Sequence, residues 1–133
     1  MSALAQKADR PQKFIVNRAS EATFEPGLRD YLEYRDLGMV GGTHGMVRAH
    51  VLRVVKPCPK GGTGRHSHTL DFQMNYILKG WARFEFEGQG EMTLQAGDSW
   101  LQPSGIKHTL LDYSDDWENI EITMPADFHT VDT

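Results

Sequence analysis

Four side chains that can bind a transition metal lie between positions 66 and 108. His66 and His68 are separated by one residue, so in a strand they would share a face, because side chains alternate with period two. Gln73 follows five residues later, and His108 follows a Pro-x-Gly turn. Three imidazoles and one amide oxygen suit iron, manganese, nickel, copper or zinc. We therefore predict that these four side chains bind one divalent transition metal.

The charge of this ligand set bears on its chemistry. Neutral imidazoles and a glutamine, which ligates through its amide oxygen, cancel none of the metal's charge. Such an ion is a strong Lewis acid and favours an anionic partner such as an enolate or carboxylate. Two other interpretations stay open. Gln73 can hydrogen-bond within the fold while three histidines hold the metal, and the histidines can be structural without any metal.

Strand alternation extends the site to a substrate pocket. If Gln73 points towards the interior, Asn75 and Ile77 on the same strand should do so too. If His108 points inward, Leu110 should follow. We therefore predict that Asn75, Ile77 and Leu110 line a substrate pocket beside the metal.

Two residues are candidates for proton transfer. Asp112 shares the parity of His108, so the alternation also directs it inward, although an acid at a strand end is equally compatible with a solvated position. His50 lies in the β-branched run Met46–Val55, a predicted strand that could line a barrel. Asp112 and His50 are therefore the catalytic candidates.

Strand and turn signals dominate the chain from position 65 onward. Turns carrying Gly80, Gly97 or Pro103-Ser104-Gly105 separate short β-prone runs. Before them, Leu28–Leu37 fits a strand or a helix, and a strand is favoured; Phe14–Val16 is a short β-prone piece. An all-β antiparallel sandwich or barrel follows. The predicted strands are Arg65–Leu70, Gln73–Leu78, Trp81–Glu87, Glu91–Gln95, Ser99–Gln102, His108–Asp112 and Trp117–Thr123.

These residues resemble the two sequence motifs of the cupin superfamily. The first motif has a glycine before His-x-His, a carboxylate residue and a later glycine, matched at His66, His68, the position of Gln73, and Gly80. The second motif is matched at Gly97, Pro103, Gly105 and His108. There are three departures. Lys60 holds the opening glycine position and Gly61 follows it, Gln73 replaces the usual glutamate, and Asp112 replaces the usual asparagine.

The resemblance implies an architecture and a partner. It implies a single-domain, RmlC-like jelly-roll barrel, which we expect at residues 41–125, with an N-terminal arm and extension strands at 1–40 and a C-terminal tail at 126–133. It also implies a homodimer in which N-terminal strands or an outer sheet pack together. Two-fold dimers are the commonest homo-oligomers in any case.

Composition excludes several classes of protein. The chain has 133 residues and a net charge of −4, which predicts one domain with no electrostatic footprint for nucleic acid or anionic membranes. No apolar run approaches the ~20 residues that span a bilayer. The N-terminus lacks a secretory signal and Cys58 is the only cysteine, so a cytoplasmic location is expected.

Three functions compete at this point. The first is a metal-dependent enzyme acting on a small molecule, either by dioxygenase-like oxidation or by Lewis-acid lyase or isomerase chemistry. The second is a non-catalytic, metal-dependent small-molecule or sugar-binding protein. The third is a structural or storage protein, which three histidines at motif spacing argue against. A single domain with no fused output module favours the enzyme modestly.

Overall fold

A computed structural model describes residues 11–27 and 29–133, and it is almost entirely β-structure. A 3₁₀ turn at Ala19–Glu21 and helix α1 (Met39–Gly42) accompany eleven strands. None of the helices in these residues is long and apolar enough to cross a membrane. The strands are β1 (Glu25–Pro26), β2 (Leu32–Asp36), β3 (Arg48–Val54), β4 (His66–Thr69), β5 (Phe72–Lys79), β6 (Trp81–Phe86), β7 (Gly90–Gln95), β8 (Ser99–Leu101), β9 (His108–Tyr113), β10 (Glu118–Met124) and β11 (His129–Asp132).

The strands form two antiparallel sheets. The six-stranded sheet has the order β1-β2-β3-β10-β5-β8, and the five-stranded sheet has the order β11-β4-β9-β6-β7. Strands distant in sequence are therefore neighbours in space: β10 lies between β3 and β5, and β4 lies between β9 and β11. This arrangement agrees with the jelly-roll barrel expected from the sequence.

Most of the strand predictions are confirmed. Each of the seven runs predicted from position 65 onward overlaps one strand, the run Met46–Val55 contains β3, and the ambiguous run Leu28–Leu37 contains β2. Phe14–Val16 is not a strand. Helix α1 and strand β11 were not predicted, and β11 lies inside the segment assigned to the C-terminal tail, where it pairs with β4.

A hydrophobic core fills the space between the sheets on one side of the barrel. Its members are buried apolar residues from both sheets, and Ile77 and Ala82 are fully enclosed. Aromatic rings dominate the rest: Phe84 stacks on Phe86, and Tyr113 stacks on Trp117. Burial of such rings is the main source of stability in a domain of this size.

The two faces of the six-stranded sheet differ in composition. The inner face, which looks towards the other sheet, carries the polar residues His50, Gln73, Asn75, Asn119 and Glu121. The outer face carries the residues that alternate with them, and these are largely apolar: Val51, Phe72, Met74, Tyr76, Leu78, Leu101, Ile120 and Ile122. Polar side chains inside a barrel indicate a binding cavity rather than a continuous core.

Two turn glycines hold strands in the register that the site needs. Gly80, between β5 and β6, has φ +69°, and a Cβ there would lie 2.2 Å from Ser114 Oγ. Gly105 has φ +84°, a conformation that other residues rarely adopt. Its backbone N–H donates to the carbonyl oxygen of His68 over 2.8 Å. The turn before β9 is thereby fastened to β4, which carries the first two histidines.

Candidate metal centre

His66, His68 and His108 form a cluster on the inner face of the five-stranded sheet. His66 and His68 are on β4, and His66 pairs in register with His108 on β9. The ring centroids are 4.8 Å apart for His66 and His68, 4.3 Å for His66 and His108, and 5.1 Å for His68 and His108. One nitrogen from each ring lies within 4.8 Å of the others. Of the predicted ligands, these three are brought together by the structure.

The Nδ1 atom of each ring has a hydrogen-bond partner. His66 Nδ1 and His108 Nδ1 are 3.2 Å and 3.1 Å from backbone carbonyl oxygens, which can only accept, so both Nδ1 atoms carry the proton. His68 Nδ1 is 2.9 Å from the Thr130 hydroxyl on β11. Nε2 therefore carries the lone pair in His66 and His108, and in His108 it lies 3.3 Å from Gln102 Nε2, which can donate to it. Orientation of a ligating imidazole through its other nitrogen is usual in metal sites.

Burial keeps His68 and His108 neutral. Burial, together with the neighbouring His108 and His66, lowers the pKa of His68 to about 4. Burial also lowers the pKa of His108, with His66 adding to the effect, against a hydrogen bond to the backbone carbonyl of Ile106 that raises it. Both imidazoles are consequently unprotonated near neutral pH, the state that binds metal. Imidazole nitrogens fit a divalent ion of borderline softness.

Gln73 lies beside the cluster in a fully hydrogen-bonded position. Its side chain is buried, with 2% of its surface exposed. Its Oε1 accepts from Gln102 Nε2 over 3.2 Å, and its Nε2 donates to Glu121 Oε2 over 3.1 Å. Gln102 Nε2 is also 3.3 Å from His108 Nε2. Gln73 is thus one residue removed from the triad, and its role as a fourth ligand stays a prediction.

Glu121 is the site residue that sequence reasoning missed. Its carboxylate accepts from His50 Nε2 over 2.8 Å and from Gln73 Nε2. Burial alone would raise the pKa of Glu121, but the hydrogen bond and charge of His50, together with His68 and Gln73, bring the pKa below its usual value. An anionic carboxylate therefore lies on the inner face, close to the histidine cluster.

A cavity of about 760 Å³ opens onto the histidines. Its wall contains the predicted residues His50, Asn75 and Leu110, and also the side chains of Trp100 and Trp117. Arg29 and Arg48 add two cationic groups. A volume of this size suits a small organic ligand.

The prediction for Ile77 is wrong. Ile77 shares the inner face with Gln73 and Asn75, but none of its surface is exposed and it does not line the cavity. It packs within the hydrophobic core instead. Alternation correctly predicted that Ile77 lies on the inner face, but it cannot predict where along the strand the cavity ends.

The expectation that Asp112 points inward is also wrong. Strand β9 pairs with β6 at Phe84–Leu110 and then at Arg83–Asp112, so Leu111 is an extra residue in the ladder. A β-bulge of this kind shifts the alternation by one. Asp112 consequently lies with Cys58 and Arg83 at a separate small depression, while Tyr113 joins the core. Asp112 is not among the residues around the histidines.

Three of the inner polar residues that sequence reasoning missed share one signal in the sequence. Asn119, Glu121 and Thr123 alternate with Ile120 and Ile122 along β10. The usual rule that the apolar residues of a strand face the interior predicts the wrong inner face for β10. Thr130 carried no signal, because β11 is too short and too exposed to be recognised as part of the barrel.

The comparisons with known proteins give one partial family match and a set of similar folds. A family model described as "Cupin domain" matches residues 54–116. No curated protein matches the chain closely enough to count as a relative.

Three solved structures illustrate the likeness in fold. The polyketide cyclase RemF from Streptomyces resistomycificus is 16% identical with a TM-score of 0.68, over 91% of this chain and 86% of that chain. A predicted oxalate decarboxylase from Thermotoga maritima is 25% identical with a TM-score of 0.65, over 84% and 99%. Fe(II)-HppE with an alternative substrate is 18% identical with a TM-score of 0.65, over 84% of this chain and 60% of that chain.

The motif histidines, the two-sheet barrel and the matched domain agree with one another. Residues 54–116 match a cupin domain, and the chain has the two-sheet fold of a jelly-roll cupin.

Proposed function

We propose that this cupin is a metal-dependent enzyme acting on a small anionic organic molecule. The observation that carries the proposal is the convergence of His66, His68 and His108 at the wall of a cavity of about 760 Å³. In the proposed enzyme, their Nε2 atoms bind one divalent ion, with iron, manganese, nickel and zinc as the candidates. Such an ion supplies Lewis-acid catalysis, or oxidation where it is iron.

The protein side chains have separate roles in this proposal. The backbone carbonyls behind His66 and His108 and the Thr130 hydroxyl behind His68 hold the three rings in a fixed orientation. Gln73 is the candidate for a fourth ligand. His50, hydrogen-bonded to Glu121 and facing the cavity, is the group placed to move a proton.

The cavity wall supports an anionic ligand with an apolar body. The imidazole and amide donors carry no charge themselves, and the cavity is lined by Arg29 and by Arg48, which is paired with Asp127. Trp100, Phe84 and Leu110 provide apolar surface for the rest of the molecule. Oxalate and small 2-oxo and 2-hydroxy acids are the first probes, since a similar structure is a predicted oxalate decarboxylase.

The metal site is tested by measuring metal content directly. Protein purified without a histidine tag, stripped with chelator and reloaded with Fe(II), Mn(II), Ni(II) or Zn(II), should bind one equivalent of ion. Substitution His66→Ala, His68→Ala or His108→Ala should lower the occupancy below about a tenth, because each removes one of three imidazole donors.

The matched control is His129→Ala, an exposed histidine on β11 outside the cluster. Its occupancy should equal that of the wild-type protein. Wild-type protein that takes up none of the four ions would overturn the metal site.

Turnover distinguishes the enzyme from its alternative. Loaded protein is incubated with each acid, and consumption is followed by NMR with His108→Ala as the inactive control. Metal-dependent consumption supports the enzyme. Saturable binding of an acid with no consumption over days would establish the non-catalytic binding protein instead.

We further propose that the chain forms a homodimer through the outer face of the six-stranded sheet. Leu101, Tyr76 and Leu78 lie on this face with 64%, 40% and 38% of their surfaces exposed, and a contiguous apolar patch of this kind is typical of an interface. Light scattering at micromolar concentration should give twice the 15.0 kDa chain mass. The substitution Leu101→Glu should shift it towards the monomer, and a monomeric wild type contradicts the dimer.

A further inference from the structure

Four side chains next to the histidine cluster form a hydrogen-bonded chain that runs in one direction. Trp100 Nε1 donates to Gln102 Oε1 over 3.2 Å, and Gln102 Nε2 donates to Gln73 Oε1 over 3.2 Å. Gln73 Nε2 then donates to Glu121 Oε2 over 3.1 Å. The chain crosses the inner face of the sheet from β8 to β5 to β10.

The two ends of this chain fix the orientation of both amides. An indole N–H can only donate, and a carboxylate can only accept. Gln102 must therefore turn its oxygen to Trp100 and its NH₂ to Gln73. Gln73 must turn its NH₂ to Glu121, and its oxygen consequently faces the side of Gln102, whose Nε2 is 3.3 Å from His108 Nε2.

The orientation matters because an amide has one end that binds metals and one that does not. If the NH₂ of Gln73 were on the side of His108, its donor hydrogens would face the cation and no ligation could occur. Glu121 prevents this reversal, since a reversed Gln73 would set its carbonyl oxygen against the carboxylate. His50, on the neighbouring strand β3, contacts Glu121 from the other side, with its Nε2 2.8 Å from Glu121 Oε1.

Glu121 also stands where its charge can act on the site. The donor set of three imidazoles and one amide is neutral, so the only compensation available within this group of side chains is the carboxylate behind Gln73. A carboxylate hydrogen-bonded behind a ligand raises the ligand's basicity and strengthens metal binding.

We propose that Glu121 is a positioning residue for the metal centre: through Gln73 it keeps the amide oxygen directed towards the histidines and supplies the negative charge that the ligands lack. The inference depends on the proposed metal site. In it, Glu121 on β10 supplies the carboxylate that is absent from position 73 on β5. Glu121 itself touches Gln73 and His50 and acts through them.

A charge exchange between positions 73 and 121 tests this assignment. The variants are Glu121→Gln, Gln73→Glu and the double variant Gln73→Glu/Glu121→Gln. The readouts are the Kd for Co(II), the visible absorption spectrum of the bound Co(II), and the Tm of the metal-free protein. None of them depends on turnover.

Glu121→Gln removes the charge and lets Gln73 reverse, so Co(II) affinity should fall about 10- to 100-fold with an altered spectrum. Gln73→Glu places two carboxylates in hydrogen-bonding contact, which raises the pKa of one of them and should lower the Tm of the metal-free protein. The double variant has one carboxylate and one amide again. Its Co(II) affinity should recover to within about tenfold of the wild-type value, since a hydrogen-bond partner behind a metal ligand changes the affinity by about that factor.

The control is Glu118→Gln, at the start of the same strand and on the outer face, where Glu118 pairs with Lys79. It should leave the Co(II) affinity and spectrum unchanged. Wild-type protein that binds Co(II), together with a Glu121→Gln variant of equal affinity and identical spectrum, would overturn the role of Glu121 alone. Absence of Co(II) binding by the wild type would overturn the metal site, and this inference with it.

Discussion

The inner and outer faces of the six-stranded sheet have opposite characters. On β10, Asn119, Glu121 and Thr123 face the interior, while Ile120 and Ile122 face outward. In an ordinary sheet with one solvated face, the isoleucines would be inside. Glu121 and Asn119 are tolerated there because they hydrogen-bond to other inner residues around a cavity, as in Gln73–Glu121–His50 and Asn119–Asn75.

The difference separates the face that lines the proposed site from the face proposed for assembly. Polar side chains on the inner face cost stability unless they are paired, so their presence indicates a site. Apolar side chains on the outer face gain stability only when something covers them. The cavity next to the proposed metal centre and the proposed dimer interface therefore lie on opposite faces of this sheet.

The largest expected effect separates neighbouring residues on the two faces. Ile77→Ala removes a side chain with none of its surface exposed, and it should lower the free energy of unfolding by about 2–5 kcal/mol. Leu78→Ala, next in sequence and 38% exposed, should cost less than about 1 kcal/mol in the monomer. Urea denaturation of both variants at low protein concentration makes the measurement. Equal costs would contradict the assignment of faces.

A smaller effect should come from the polar pairs of the inner face. Asn119 Nδ2 donates to Asn75 Oδ1 over 2.9 Å, and Asn119 is fully buried. Asn119→Leu leaves the Asn75 oxygen without this donor and should cost about 1–3 kcal/mol. The double variant Asn75→Leu/Asn119→Leu should cost less than the sum of the two single variants. Strict additivity in a double-mutant cycle of urea denaturation would mean that the pair does not act together.

The smallest effect concerns pH. The pKa of His68 is lowered from 6.5 to about 4 in the folded protein. Between these values the unfolded chain binds a proton that the folded chain does not, so stability of the metal-free protein should fall as pH decreases from about 6.5 to about 4. Glu121, with its lowered pKa, loses its contribution only below 4.5. His68→Gln should make the urea midpoint less dependent on pH between 6.5 and 5, with the remaining dependence due to His108, whose pKa is also lowered. An unchanged slope would refute the burial of a neutral His68.

Sequence predicted the parts of the site that depend on local spacing. His66 and His68 follow from alternation on one strand, and His108 follows from the Pro103–Gly105 turn that begins β9. The same period-two reasoning placed Gln73 and Asn75 on the inner face. These predictions are confirmed in position because each depends on a short, regular stretch of chain.

The errors occur where the position of a side chain depends on contacts between strands as well as on local spacing. The bulge at Leu111 reverses the parity of Asp112, and nothing in the run His108–Asp112 signals an extra residue. The location of Ile77 depends on how deep the cavity extends, which is set by side chains from other strands. Glu121 depends on a polar interior, which contradicts the usual assignment of faces and could be recognised only with the strand order known.

Strand β11 has a consequence for handling the protein. Its four residues are exposed, yet Thr130 holds the Nδ1 of His68, and the backbone of β11 pairs with β4 along its length. A peptide fused after Thr133 would extend β11, the edge strand whose Thr130 orients His68. A tag placed elsewhere adds no peptide to β11, and preparations that differ only in tag position are therefore not equivalent for metal analysis.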